Sequence, residues 1–229
     1  MADGSDKPHF HGHRQRLRER LLDAGAEGFP DYELLEFLLF SALPRQDTKP
    51  LAKALIARFG SFADAVGADR EALLGVPGIG EAAVATLLAV REAARRLVRA
   101  ELHERPVIAS WEKLVDYCTA TMAYAAVEEF RLLFLDRRNV LIADERQQRG
   151  TIDQAPVYVR EVVKRALELG ASAIIMVHNH PSGDPTPSRS DIEITKQVAQ
   201  AAAPLGVRLH DHIVIGRSGH TSLRTMGLL

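Results

Sequence analysis

The 229-residue chain holds a single cysteine, Cys118. That excludes a disulfide framework and a zinc cluster built from thiolates, and it fits a reducing compartment. Net charge is also lacking: 29 Lys+Arg stand against 30 Asp+Glu, a formal charge of -1. The molecule is no polycation, so any nucleic-acid contact would have to be local. Long apolar runs are absent. The greasiest stretch, Leu34 to Leu43, is interrupted by Glu36 and is too short to span a bilayer. Met1 to Asp6 offers no apolar core for a signal peptide, and no internal repeat or low-complexity tract stands out. These absences predict a soluble, cytoplasmic protein with no membrane partner.

What is present is enough apolar material, 46% of residues, for one large core or two modest ones. The first hundred residues read as helices. Arg14 to Asp23 is a basic amphipathic stretch, and Gly28-Phe29-Pro30 breaks the chain. Asp31 is placed to cap a helix reaching about Leu43, and Thr48 another that ends at Gly60, with Pro50 near its start. Ser61 and Asp69 are placed to cap two short turns, and a long Ala/Leu/Arg helix follows from Glu81 to about Glu101. From Val107 the pattern alternates. Ser110 can cap a helix to about Met122. Phe130 to Leu135, Val140 to Arg146, Ala173 to His178 and Val207 to Ile215 read as strands, with helices over Arg160 to Leu169 and Ser190 to Ala203. The pattern changes near Leu102 to Pro106, which predicts a helical domain over 1–104 and a second domain over 105–229.

The most informative segment is His178-Asn179-His180-Pro181-Ser182-Gly183, followed by Ser188 and Asp191. It lies directly after the apolar run Ala173 to Val177. Residues two apart on a strand share a face, so His178 and His180 can address one ion while Asn179 points away. Asp191, in the first turn of the next helix, can supply a third ligand. Two imidazoles and a carboxylate, with a fourth position left for water, make up a catalytic zinc site rather than a structural one. Each piece has a plainer reading when taken alone. Ser188 and Asp191 also spell a helix N-cap with an acid three residues on; capping and ligation are compatible. His9-x-His11-x-His13 sits in a polar tail and reads as solvated. His178-Asn179-His180 is consecutive, unlike the dispersed residues of an HNH nuclease, and one cysteine excludes a zinc deaminase.

His178, His180, Ser188 and Asp191 stand in the register His-x-His-x7-Ser-x-x-Asp, which resembles the signature of the JAMM/MPN+ metallopeptidases. With Pro-Ser-Gly after the second His, the segment is most similar to the RadC-family branch, over about Val107 to the C-terminus. The resemblance implies an α/β (α+β) fold, an MPN/JAMM-type mixed sheet flanked by helices. It also implies one Zn²⁺ held by His178, His180 and Asp191, with Ser188 assisting the oxyanion and a glutamate on an earlier strand acting as general base. That base is expected at Glu145; its neighbour Asp144 would face the other side of the strand. Asp211 and His212 also match a RadC-family pattern, while Val159 departs from one, standing where the family has Pro. The activity implied is zinc-dependent hydrolysis of a peptide or isopeptide substrate. Phosphodiester hydrolysis fits less well, because only Arg189 brings a positive charge to the segment.

Val76-Pro77-Gly78-Ile79-Gly80 resembles the hairpin of a helix-hairpin-helix motif, over about Asp69 to Val90. That resemblance makes DNA a candidate partner through residues 1–104, the other reading being a helical packing or protein-interaction module. The alternative to a hydrolase is a DNA-associated repair or recombination accessory protein whose metal site is structural or vestigial. Glu81 and Ala82 stand where the DNA-binding versions carry Lys or Arg. The first hundred residues balance 14 Lys+Arg against 14 Asp+Glu. Arg14, Arg16, Arg18 and Arg20 form the basic cluster, and Arg91, Arg95, Arg96 and Arg99 line part of the long helix.

Overall fold

The computed structural model describes residues 10–102, 106–149 and 157–229. They form two compact units, Met1–Glu92 and Ala93–Leu229. No described helix is long and apolar enough to cross a membrane.

The first unit is helical: α1 (Phe10–Ala24), α2 (Asp31–Ala42), α3 (Lys49–Phe59), α4 (Phe62–Gly67), α5 (Arg70–Leu74) and the start of α6 (Glu81–Leu102). Leu35, Leu39, Leu55, Leu73 and Leu87 fill its core. Ser61 and Asp69 cap as expected, accepting from Asp64 N at 3.0 Å and Ala72 N at 2.8 Å. Two other caps differ from expectation. Asp31 is the first residue of α2, after Pro30, and its carboxylate accepts from Phe62 N at 2.7 Å; a tertiary donor outcompetes the local one. The Thr48 hydroxyl makes no capping bond, and Asp47 accepts from Lys49 N at 3.1 Å instead. Arg14 also leaves the predicted basic surface cluster. It is buried, and its guanidinium donates to the carbonyls of Leu43, Pro44 and Gln46, groups that the end of α2 leaves without helical partners.

The second unit is built on a mixed sheet, as the alternating pattern implies. Its elements are α7 (Trp111–Met122), β1 (Glu129–Leu135), β2 (Leu141–Arg149), α8 (Val159–Glu168), β3 (Ala173–Asn179), α9 (Arg189–Ala202), β4 (Arg208–Gly216) and β5 (Gly219–Ser222). The strand order is β2-β1-β3-β4-β5. Only β3 and β4 run parallel, joined through α9; the other pairs are antiparallel. The sequence reading missed β5, four residues too short and polar to show an alternating pattern.

β3 lies at the centre with all seven residues buried, so it reads as a continuous apolar run rather than an alternation. Its odd and even side chains enter two different cores. Ile175 and Val177 join Leu114, Tyr117, Leu133 and Ile213 on the α7 side. Ile174 and Met176 join Phe130, Leu132, Val162 and Val198 on the α8/α9 side. His178 continues the second set, which places the end of β3 over α9.

On the α7 side, the side chain of Asp144 of β2 is only 1% exposed. It accepts from both Nε and Nη2 of Arg131, at 3.0 and 3.2 Å, and from the Tyr117 hydroxyl. Tyr117 is thereby pushed up to about 12, first by burial and then by the Asp144 charge. Removing one partner of a buried ion pair strands the other charge in a low-dielectric core. Asp144→Ala is expected to lower unfolding stability by about 3 kcal/mol in a denaturant titration, while Tyr117→Phe lowers it by about 1 kcal/mol.

Candidate metal centre

His178 is set by the sheet. It lies opposite Phe130 of β1 and beside Val214 of β4, is 1% exposed, and its ring stacks on Phe130 at 6.2 Å between centroids. Asn179 points away, as strand alternation predicts. Its side chain ties down the start of β1, accepting from Glu129 N at 2.8 Å and donating to Val127 O at 3.2 Å.

His180 lies one residue beyond β3. Its backbone N–H donates to Ile215 O at 2.9 Å, and its Nδ1 donates to Asp184 O at 2.9 Å. A backbone carbonyl can only accept, so Nδ1 carries a proton, and in the neutral ring Nε2 is the nitrogen free to ligate. The turn that follows is fastened to the β4–β5 hairpin. Gly183 O accepts from Ser218 N and Oγ at 3.2 and 2.7 Å, and Pro181 O accepts from Arg217 Nη2 at 3.0 Å. Gly183 itself sits at φ +92°, which favours glycine.

Asp191 arrives from the first turn of α9. Ser188 is the N-cap and forms a reciprocal capping box with it: Ser188 Oγ accepts from Asp191 N at 3.2 Å, and Asp191 Oδ2 accepts from Ser188 N at 2.7 Å. The Ser188 hydroxyl also donates to Asp191 Oδ2 at 2.6 Å. The carboxylate faces both imidazoles, with Oδ1 at 3.4 Å from His178 Nε2 and Oδ2 at 3.7 Å from His180 Nε2. The two Nε2 atoms are 3.0 Å apart. The three residues thus offer ligand atoms that all lie within 4.8 Å of one another, the one such His/Cys/Asp/Glu group among the described residues.

The electrostatics agree with the geometry. Burial pushes the Asp191 carboxyl up, but hydrogen bonds to His178 and His180 outweigh it and hold the group far below the usual carboxylate range. His180 is raised, first by Asp191 and against its own desolvation. The centre therefore attracts positive charge.

The two neighbouring carboxylates of β2 face opposite sides of the sheet, as expected. Glu145 shares the sheet face of His178, since it pairs with Leu132, which pairs with Met176; Asp144 lies on the other face. The Glu145 carboxylate is nevertheless engaged with Arg165 of α8, with its closest contact at 2.6 Å, and stands outside the three-ligand cluster. Glu128, the residue before β1, is a further acid that sequence reasoning did not single out; its charge is the last of the causes that raise His180. His212 and Thr195, both fully buried, also reach the site: His212 Nε2 lies 2.8 Å from His178 Nδ1, and Thr195 Oγ1 lies 2.5 Å from His212 Nδ1. Of the other residues singled out, His9 falls outside the described residues.

Two family models match the chain. The RadC-like JAB domain matches residues 108–228, and the UPF0758 N-terminal model matches residues 11–85.

The tightest approach in the centre is backbone to backbone. A Cβ on Gly216 would lie 2.2 Å from Gly183 O, a contact that no rotamer change relieves. Gly216→Ala is expected to push the 180–185 turn off the hairpin. Its measurable outcome is a melting temperature lowered by a few degrees.

Proposed function

The chain belongs to the RadC-like JAB domain family, and on that premise we propose that it is a zinc-dependent metallopeptidase or isopeptidase. The observation that carries the reading is the convergence of two imidazoles and a carboxylate. His180 Nε2 lies 3.0 Å from His178 Nε2 and 3.7 Å from Asp191 Oδ2, so these groups can address one cation. Two imidazoles and a carboxylate suit zinc by ligand type and number.

His178, His180 and Asp191 would hold the ion. Zinc in such a set serves as a Lewis acid that polarises a carbonyl and acidifies water. A nearby carboxylate must then accept the proton and pass it to the leaving amine. Glu145 is one candidate, but Arg165 occupies its oxygens. Glu128 is the other, and the effect of its charge on the His180 ring supports giving it this role ahead of Glu145. Ser188 stands beside Asp191 and would stabilise an oxyanion after turning its hydroxyl away from Asp191 Oδ2. A peptide or isopeptide is the substrate class we infer. DNA contact through residues 1–104 is less well supported: Arg14 is buried, and Arg70 pairs with Glu81 at 2.7 Å where a phosphate would have to approach α6.

Elemental analysis of tag-free protein by mass spectrometry is expected to give about one zinc per chain, lost in His180→Ala. A wild type that neither carries zinc nor takes it up would overturn the reading. Zinc retention should also depend on pH. Ligation needs neutral imidazoles, and the raised His180 pKa lets protons compete at a higher pH than usual. Zinc is therefore held above that pKa and released as pH falls through it, beginning above the ordinary imidazole value of about 6.5.

The proton acceptor is resolved by paired variants. Glu128→Gln is expected to keep zinc and lower turnover of a peptide or isopeptide panel by about 10²- to 10⁴-fold. Glu145→Gln should leave turnover within a few-fold. The reverse pattern would return the role to Glu145.

A further inference from the structure

We propose that Thr195 and His212 form a buried hydrogen-bond relay that fixes the tautomer of His178 and aims its bare Nε2 at Asp191 and His180. The consequence for metal binding rests on the zinc reading above; the relay itself rests on donors and acceptors alone.

The relay has one self-consistent arrangement of protons. It ends at the backbone carbonyl of Asp191, which can only accept, so the Thr195 hydroxyl must donate to it across 2.5 Å. With its single proton committed, Thr195 Oγ1 accepts from His212, 2.5 Å away, and His212 carries its proton on Nδ1. Full burial disfavours a charged ring, so the Nε2 of His212 is an acceptor. His178 Nδ1, 2.8 Å from that atom, must then donate. The remaining nitrogen of His178 is left bare on the side of the carboxylate, 3.4 Å from Asp191 Oδ1.

Three hydrogen bonds join four residues on three elements: Asp191 and Thr195 on α9, His212 on β4 and His178 on β3. Thr195 and His212 lie among Phe130, Met176 and Val198, where apolar side chains would pack without the desolvation of two polar groups. Apart from Asp191 and His178, which end it, the relay contains no metal ligand, so Thr195 and His212 are positioning residues. They act on the ion through His178 and on the placement of α9 through the Asp191 carbonyl.

The test uses the full chain and two readouts. Nitrogen-15 NMR of histidine-labelled, metal-free protein is expected to show both His178 and His212 as Nδ1–H tautomers. Zinc titration against a chromophoric chelator is expected to show an affinity about 10- to 100-fold lower for Thr195→Val and His212→Leu. Thr195→Ser, which keeps the hydroxyl, and His212→Gln, which places an amide oxygen near the position of Nε2, should stay within a few-fold of wild type. Thr195→Val leaves the buried His212 Nδ1–H without its acceptor, so its metal-free melting temperature should fall by several degrees while the protein stays folded. A His178 that is Nε2–H in the wild type, or a folded Thr195→Val protein that binds zinc as tightly as wild type, would overturn the relay and leave the metal reading intact. Wild-type protein that takes up no zinc would sink the metal reading, while the tautomers still decide the relay.

Discussion

The backbone bond from His180 N to Ile215 O extends the β3–β4 ladder one step past the last residue of β3, and the geometry of the centre follows from it. Strand alternation alone would let the chain diverge after Asn179, and His180 would then share no fixed frame with His178. The extra ladder bond keeps the two imidazoles at strand spacing, with their Nε2 atoms 3.0 Å apart. It also brings the following turn down onto Gly216, where backbone touches backbone and side-chain freedom cannot blur the position. The β4–β5 hairpin is thus a platform: its carbonyl at Ile215 and its donors at Arg217 and Ser218 hold the ligand-bearing segment from below.

Asp191 carries two obligations that might have conflicted. As the third residue of α9 it closes a capping box with Ser188, a contact whose loss would destabilise the helix start by roughly 1 kcal/mol. As a candidate ligand it must face two histidines. The carboxylate serves both because its oxygens divide the work. Oδ2 takes the Ser188 N–H and O–H, while Oδ1 stays open toward His178. The cap therefore positions the ligand. The same economy explains why the serine and the aspartate stand three residues apart: that is the spacing of a reciprocal cap, and the site uses a helix start that is rigid already.

The ligands were legible in the sequence because each relation among them is local. His178 and His180 follow from a period of two, and Asp191 from the first turn of the next helix. The separation of Asp144 from Glu145 onto opposite faces was also legible, for the same reason. What the sequence hid is everything that depends on which strands pair and in what register. Glu128 lies fifty-two residues before His180, and His212 thirty-four after His178; only the pairing of β1, β3 and β4 brings them to the site. Arg165 likewise reaches Glu145 from another element, so an acid that reads as free on its strand is half of an ion pair in the fold. The caps err in the same way. Asp31 and Thr48 have the chemistry of N-caps, but Phe62 N and Asp47 offer better partners that local spacing cannot reveal.

The two faces of β3 show why a polar centre can exist in so apolar a strand. From Ala173 to Val177 every side chain is buried among aliphatic neighbours, and five consecutive apolar residues fix the strand in register before any polar group is reached. A one-residue slip would exchange the two cores, which differ in shape and partners, so the register is strongly specified. His178 comes after that lock, where the sheet ends and α9 begins. Its desolvation is offset at Nδ1, which has His212 as partner at 2.8 Å. The centre sits at the strand end because there the apolar core has already fixed the backbone, and neighbouring strand and helix termini can still supply polar partners.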